Sequence, residues 1–182
     1  GDAGAPGLGD VGAVGARLLY GDGTLQHGGH VYHGEFMHAL LGYPGDHPGP
    51  QRMLAVAREC AGVTAAALLT TRAVFDAVGG FPADLPLHFN DVDFCLAVRA
   101  AGHRIVWTPD AAWYHFEGKS RTRGATLDEW NRVARRWWPD GQPHDPYSNP
   151  NLTPKRDDWL ELPGRSGAPP YYVDDGGTKR WA

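Results

Sequence analysis

Residues 89–107 read FNDVDFCLAVRAAGHRIVW, and this stretch decides the fold class because it joins a helix pattern to a strand pattern. Apolar side chains recur at helical spacing and predict one core-facing side, formed by Phe94, Ala97, Val98 and Ala101. Asn90 or Asp91 is expected to cap the start of this helix, and Gly102 to end it. The mainly apolar residues 104–107 then predict a strand.

Upstream of this stretch the pattern is that of strands and turns. Residues 11–20 (VGAVGARLLY) predict a strand, and Asp22-Gly23 is typical of a hairpin turn. Residues 24–32 are expected to form the returning strand, and residues 33–50, which mix His, Gly and Pro, a loop. The short apolar run at residues 63–70 (VTAAALLT) predicts a buried strand.

Downstream, helices and strands continue to alternate. A short helix capped by Thr71 is expected at 72–78, and Pro109-Asp110 predicts a turn that leads into a further strand at 111–115. A second clear helix begins at Thr126, which forms with Glu129 the pattern of a capping box. This alternation predicts an α/β layer structure in which helices flank a mixed sheet.

The composition bounds the class of protein. The chain has 182 residues, enough for one ordinary domain, and 42% of them are hydrophobic, which suffices for a packed core. Its formal net charge of −4 argues against a general nucleic-acid binder, because such proteins neutralise phosphates with surplus Lys and Arg. The sequence shows neither an apolar run of membrane-spanning length nor a signal-peptide pattern.

The chain divides into three parts on composition. The Gly-rich residues 1–10 predict a disordered leader, residues 11–152 a folded unit, and residues 153–182 an extended surface tail. Cys60 and Cys95 stand outside any Cys-x-x-Cys pair, so neither a disulfide scaffold nor a structural zinc site is expected. The reducing cytoplasm is therefore the expected location.

Two carboxylates at the start of the central helix are the first candidate for chemistry. Asp91 and Asp93 lie where the helix dipole stabilises negative charge. Their side chains point about 200° apart around the helix axis, so they are not expected to chelate one metal together. Either they serve only as capping residues, or one of them is a general base aimed out of the helix start.

His115 is the second candidate, because a strand delivers it to the beginning of a polar loop. That loop contains Lys119, Ser120, Arg121 and Arg123. Arg and Ser side chains are suited to phosphate, since Arg offers a forked set of donors and Ser adds a hydroxyl. A structural histidine followed by a solvated loop is the alternative interpretation.

A histidine cluster upstream is the third candidate. His27, His30, His33 and His38 are spaced by three, three and five residues, which matches neither a zinc helix nor a zinc finger. Metal ligation by this cluster is possible on chemistry alone, and a tight strand turn at His27 is the alternative.

Three motifs in order resemble a known family of enzymes. They are VGAVGARLLYGDGTLQHGG at residues 11–29, VTAAALLTTRAVFDAVGGF at residues 63–81, and the whole of residues 89–121. Together they resemble the C-terminal half of a family 2 glycosyltransferase catalytic domain, of the subset that builds polysaccharide and O-antigen chains and includes rhamnosyltransferases. The segment DPYSNPNL at residues 145–152 is similar to one that follows the last helix in that subset.

The resemblance implies a GT-A fold and an inverting transfer of a sugar from a nucleotide-sugar donor to a saccharide or lipid-linked acceptor. It also implies Mn2+ or Mg2+ as the cation. Members of the family often work at the inner face of the cell membrane on lipid-linked acceptors, so the resemblance implies a peripheral membrane association through the acceptor lipid.

Individual residues inherit roles from the resemblance. Asp91 matches the second member of the family's acidic pair, which is the catalytic base, although Asn90 stands where the first acid is usual. Asp93 matches a further acid with a structural or acceptor-orienting role. The remaining matches are His115 with a histidine that completes the metal or diphosphate site, Ser120 and Arg121 with residues that hold the donor phosphates, and Gly79, Gly80 and Phe81 with the loop that lines the acceptor pocket.

The front of the chain departs from the family pattern. A complete GT-A domain opens with a nucleotide-binding half that ends in a DxD motif, and Asp2, Asp10 and Asp22 have no partner acid for such a motif. The sequence therefore predicts that the N-terminal half of the enzyme is missing here and that this piece alone has no transferase activity.

Two other functions stay open on the sequence alone. One is a non-catalytic module that binds carbohydrate or a protein partner on the same scaffold. The other is a small metal hydrolase that uses His27, His30, Asp91 and His115.

Overall fold

A mixed five-stranded sheet forms the main body of the fold in the computed structural model. The structure describes residues 10–32, 35–116, 124–139, 141 and 145–147, together with the backbone of 171–173 and 179–181. The strands are β1 (Val11–Leu19), β2 (Leu25–His27), β3 (His30–Tyr32), β4 (Phe36–His38), β5 (Arg58–Glu59), β6 (Leu68–Thr70), β7 (Arg104–Tyr114), β8 (Tyr171–Val173) and β9 (Lys179–Trp181). The α-helices are α1 (Arg72–Ala77), α2 (Asn90–Ala100) and α3 (Leu127–Trp137).

The pairing of β1 with β7 organises the sheet. These two long strands run parallel, β2 and β6 pair antiparallel with β1, and β5 pairs antiparallel with the far side of β7. A parallel pair needs a crossover connection, and here the crossover contains α1 and α2. The predicted α/β class with a mixed sheet and flanking helices is confirmed.

The predicted returning strand at 24–32 is wrong as a single element. Gly28 and Gly29 divide it into β2 and β3, and Gly29 takes a positive φ of 97°, which glycine adopts without steric cost. After this break β3 pairs with β4 in a separate two-stranded sheet. The predicted loop at 33–50 therefore contains a strand.

Two further strand predictions are corrected. The run at 63–70 forms a 3-10 turn at Ala65–Ala67 and the short strand β6, where the Leu69 side chain is 71% exposed, so this is not a buried strand. Pro109-Asp110 makes no turn between two strands. It lies in a bulge of β7, where the register with β1 steps from Thr108 to Ala112.

The central helix α2 begins differently from the prediction. Its N-cap is Phe89, in the left-handed region at φ 60° with no side-chain cap, so neither Asn90 nor Asp91 caps it. Phe94 and Val98 face the core as predicted, but Ala97 is only half-buried and Ala101 is exposed. The helix is buried on two sides, because one side packs on the sheet and the other on α3.

The other two helices follow their local signals. Thr71 accepts a hydrogen bond from the Val74 amide at the start of α1. At α3, Thr126 and Glu129 form the predicted capping box, with each side chain bonded to the other residue's backbone N–H. Such capping contacts lie within one helical turn, so they do not depend on the packing of the rest of the chain.

The predictions for the cysteines and for the two ends of the chain can be compared with the structure only in part. Cys60 and Cys95 are buried thiols without a disulfide, as expected. Residues 1–9 of the predicted leader lie outside the described residues, as does most of the predicted tail, of which β8 and β9 form an antiparallel pair. Among the described residues, the longest helices have eleven residues and fall well short of crossing a membrane.

Candidate functional site

A polar cavity opens where α2 begins and β7 ends. Its volume is about 120 Å³. The polar side chains on its wall are Gln26, His30, His38, Thr64, His88, Asn90, Asp91 and His115. Asp91 and His115 lie far apart in the sequence, and the parallel pairing of β1 with β7 brings them to the same cavity.

Asp91 occupies the first turn of α2 and is held by backbone amides. One carboxylate oxygen accepts a hydrogen bond from the Ala65 amide at 3.1 Å, and the other accepts from the Val92 amide at 2.9 Å. Burial opposes the charge, but the facing His30 ring and the hydrogen bonds outweigh it, so the pKa of Asp91 lies below its ordinary value. At neutral pH this group is an ionised carboxylate able to accept a proton.

His115 follows β7 and is oriented by Gln26. Its amide donates to the Leu19 carbonyl at 2.9 Å, and its Nδ1 lies 2.8 Å from Gln26 Oε1. Because an amide oxygen only accepts, the proton of the ring sits on Nδ1. The second nitrogen, Nε2, is then the unprotonated one, which is the form that binds a metal or accepts a proton.

Asp93 does not reach the cavity. Its Oδ1 accepts hydrogen bonds from Arg136 at 2.7 Å and from the Trp137 indole at 2.9 Å, so it ties α2 to α3. Two residues along a helix turn the side chain to the opposite side, as the sequence predicted. These contacts give Asp93 a part in the packing of α2 on α3, and its acceptor-binding role stays a prediction.

We expect Asp93→Asn to lower the free energy of unfolding by about 1–2 kcal/mol, because the indole and the guanidinium lose a charged acceptor. The half-exposed Arg136 limits the loss. Urea unfolding measures it, and Asp84→Asn, which removes an exposed partner of Arg136, is the control with a loss of about 0.5 kcal/mol or less. A purely structural role predicts unchanged binding of a saccharide by the variant, whereas weakened binding would support the acceptor-binding role that the resemblance implies.

The other predicted site residues lie away from the cavity or outside the described residues. Gly79 and Gly80 end α1 with positive φ values of 84° and 67°. Phe81 packs against Phe75 and Phe94. None of these three lines the cavity, so their acceptor-binding role stays a prediction. Ser120 and Arg121 lie outside the described residues.

The structure also brings together three members of the histidine cluster that the sequence analysis singled out. His27, His30 and His38 converge beside the cavity, while His33 lies outside the described residues. His30 and His38 are direct cross-strand partners of β3 and β4. A hairpin prediction with the correct register would have found this pair. Gln26, which orients His115, had no sequence signal.

A second, shallower cleft borders the polar cavity. It has a volume of about 370 Å³ and is lined by Glu35, Phe36, Phe89, Leu127 and Trp130. Phe36 and Phe89 line both spaces, so the aromatic cleft leads directly to the cavity that contains Asp91.

Comparison with known proteins gives two partial similarities. No family model matches the sequence. The chain is 43% identical over 159 residues to the uncharacterized protein y4gI of Sinorhizobium fredii, an alignment that covers 82% of this chain and 18% of that protein. It is 35% identical over 153 residues to the O-antigen biosynthesis protein RfbC of Myxococcus xanthus, which covers 79% of this chain and 12% of that protein. The chain thus spans less than a fifth of the length of either relative, and its similarity is to one segment of a much longer polypeptide.

Proposed function

We propose that this chain is the acceptor-side half of an inverting family 2 glycosyltransferase with a GT-A fold, which acts in polysaccharide biosynthesis. The observation that carries the proposal is that Asp91 and His115 line one cavity. Their roles as base and metal or diphosphate ligand require such proximity. The similarity to a protein named for O-antigen biosynthesis supports the same class of pathway.

Asp91 is the catalytic base in this proposal. As the acceptor hydroxyl oxygen forms its bond to the anomeric carbon, the Asp91 carboxylate takes the hydroxyl proton. The bond from the anomeric carbon to the donor diphosphate breaks, and its electron pair leaves with the diphosphate. A single displacement of this kind inverts the anomeric configuration and needs no covalent intermediate on the enzyme.

His115 faces the leaving-group side. A divalent cation, when bound, would neutralise the charge that develops on the leaving diphosphate. The unprotonated Nε2 of His115 fits a ligand to such a cation, and diphosphate oxygens suit the remaining positions around Mn2+ or Mg2+. Ser120 and Arg121 follow in the sequence and are proposed to bind the donor phosphates.

The aromatic cleft is the proposed route of the saccharide acceptor. Phe36 lies 5.9 Å from the Trp130 ring and 5.2 Å from the Phe89 ring, which gives a nearly continuous aromatic wall up to the cavity. Flat rings with a polar rim bind amphipathic ligands such as sugars. Phe89 also holds a left-handed backbone, a strained conformation of the kind that collects at functional sites.

We expect Trp130→Ala to raise the KM for a saccharide acceptor about tenfold in the complete enzyme, because the variant loses the aromatic ring that the sugar would contact. A tenfold change corresponds to a loss of about 1.4 kcal/mol in binding free energy. Steady-state kinetics at saturating donor measure this effect. Trp130→Phe keeps a ring in place and is the matched control, with a change of about threefold or less. An unchanged KM in the alanine variant would remove the cleft from the acceptor route.

The test of the proposed function is transfer itself. The complete enzyme is incubated with Mn2+, a panel of nucleotide-sugars and saccharide acceptors, and release of nucleoside diphosphate is measured. We expect release that depends on acceptor, whereas the 182-residue chain alone should release none. Saccharide binding by the complete protein without any turnover would favour the non-catalytic module, and turnover by the 182-residue chain alone would refute its assignment as half of a site.

A further inference from the structure

Three histidine rings form a triangle beside the polar cavity. His27 on β2, His30 on β3 and His38 on β4 each place a ring nitrogen within 4.8 Å of the other two. The ring centroids are separated by 5.1 Å, 4.8 Å and 5.1 Å. His27 and His30 are almost fully buried and His38 is half-buried, and both His30 and His38 line the cavity.

The size of this triangle matches three imidazoles around one metal ion. Zinc binds imidazole nitrogen at about 2.0–2.1 Å, so tetrahedral geometry separates two ligand nitrogens by about 3.3 Å and their ring centroids by about 5.2 Å. The Nδ1 atoms of His27 and His38 are 3.1 Å apart, and all three centroid separations lie within half an ångström of the expected value.

The surroundings of the His30 ring suit a metal ligand. A ligating histidine donates its second ring N–H to an oxygen, which fixes the tautomer. His30 Nδ1 lies 3.2 Å from the Tyr32 hydroxyl, which leaves its Nε2 for a metal ion.

One hydrogen bond of His27 must break when a metal ion binds, so its loss can be used to detect binding. The Thr64 amide donates to His27 Nε2 at 3.2 Å, so in the metal-free chain the proton of His27 sits on Nδ1. Ligation through Nδ1 would move that proton to Nε2 and break the bond from Thr64. Metal binding must therefore change both the tautomer of His27 and the environment of the Thr64 amide.

We propose that His27, His30 and His38 bind one divalent transition-metal ion of the zinc class. Imidazole is a borderline ligand, which favours Zn2+ over Mg2+ or Ca2+. The ion would clip β2 of the main sheet to the β3–β4 pair, across the break at Gly28 and Gly29. This site does not rest on the proposed function, and it is separate from the diphosphate-bound cation assigned to His115.

The test uses the tag-free 182-residue chain after treatment with a chelator. Titration with Zn2+ alone, followed by calorimetry and by elemental analysis of the dialysed protein, should give one ion per chain. His38→Asn should weaken binding at least tenfold, a loss of the size expected when a ligand or its close partner is removed. His103→Asn, at a half-buried histidine outside the cluster, should leave the affinity unchanged.

Two further measurements decide the remaining cases. Nitrogen NMR of the wild-type chain should show the His27 tautomer change and a shift of the Thr64 amide on addition of zinc, which does not require a variant to fold. His115→Asn and Asp91→Asn should keep zinc binding even though the proposed function predicts loss of transfer. No zinc uptake by the folded chain, or uptake that survives His38→Asn and is lost in His115→Asn, would overturn the site.

Discussion

Replacing Asp91 by Asn should reduce the turnover of the complete enzyme by about 100- to 10,000-fold, the range that a general base contributes. The amide keeps the shape of the side chain and an oxygen that can still accept from the Ala65 amide, but it cannot take the acceptor proton. Initial rates at saturating donor and acceptor measure kcat. Thermal unfolding of the variant establishes that the fold is retained.

Asp128→Asn is the matched control, because Asp128 also lies in the first turn of a helix but is exposed and paired with Arg132. Its rate should equal that of the wild type. Since the pKa of Asp91 lies below its ordinary value of 3.8, a rate limited by this base should fall only as the pH drops below about 4. A near-normal rate in Asp91→Asn would assign the base to another residue.

Replacing Trp107 by Ala should lower the free energy of unfolding by about 3–5 kcal/mol, the usual cost of deleting a large buried aromatic side chain. Trp107 is completely buried on β7, and its indole donates to the Ala16 carbonyl of β1 at 3.1 Å. The guanidinium groups of Arg17 and Arg58 lie 5.7 Å and 5.6 Å from its ring. Urea unfolding at neutral pH measures the loss.

Trp113 provides the control on the same strand. Its side chain is 56% exposed, so Trp113→Ala should cost about 0.5 kcal/mol, as at other surface positions. The contrast between two tryptophans of one strand separates burial from residue type. Equal losses in both variants would contradict the described packing of β7.

Local signals predicted the parts of the fold that a few neighbouring residues settle. The capping box of α3 and the start of α1 at Thr71 involve contacts over three residues. The predicted N-cap of α2 was wrong because the Asp91 carboxylate is held by the Ala65 amide, 26 residues upstream, and because Phe89 adopts a conformation that is rare for a bulky residue. The apolar run at 63–70 was wrongly predicted as a buried strand. Its composition does not show that β6 pairs with β1 in a position where the Leu69 side chain stays exposed.

The candidate site divides in the same way. Asp91 and His115 were candidates from their local sequence, the resemblance implied their roles, and the structure supplied their common cavity. Gln26 had no sequence signal. The histidine cluster was a candidate from its spacing, but the convergence of His27, His30 and His38 depends on the break at Gly28 and Gly29 and on the register of β3 with β4. Helical geometry alone predicted that Asp93 points away from Asp91. Its partner Arg136 lies on another helix and could not be predicted from the local sequence.

The sequence by itself determined the α/β class, the two capped helices and the position of one carboxylate at a helix start, because periodicity and capping act over a few residues. Only the tertiary structure decided which side chains share a cavity, since the parallel pairing of β1 with β7 and the turn at Gly29 join segments that are remote in sequence. Whether a histidine is a ligand, a positioning residue or a buried ring depends on those distant neighbours, which its own flanking residues do not specify.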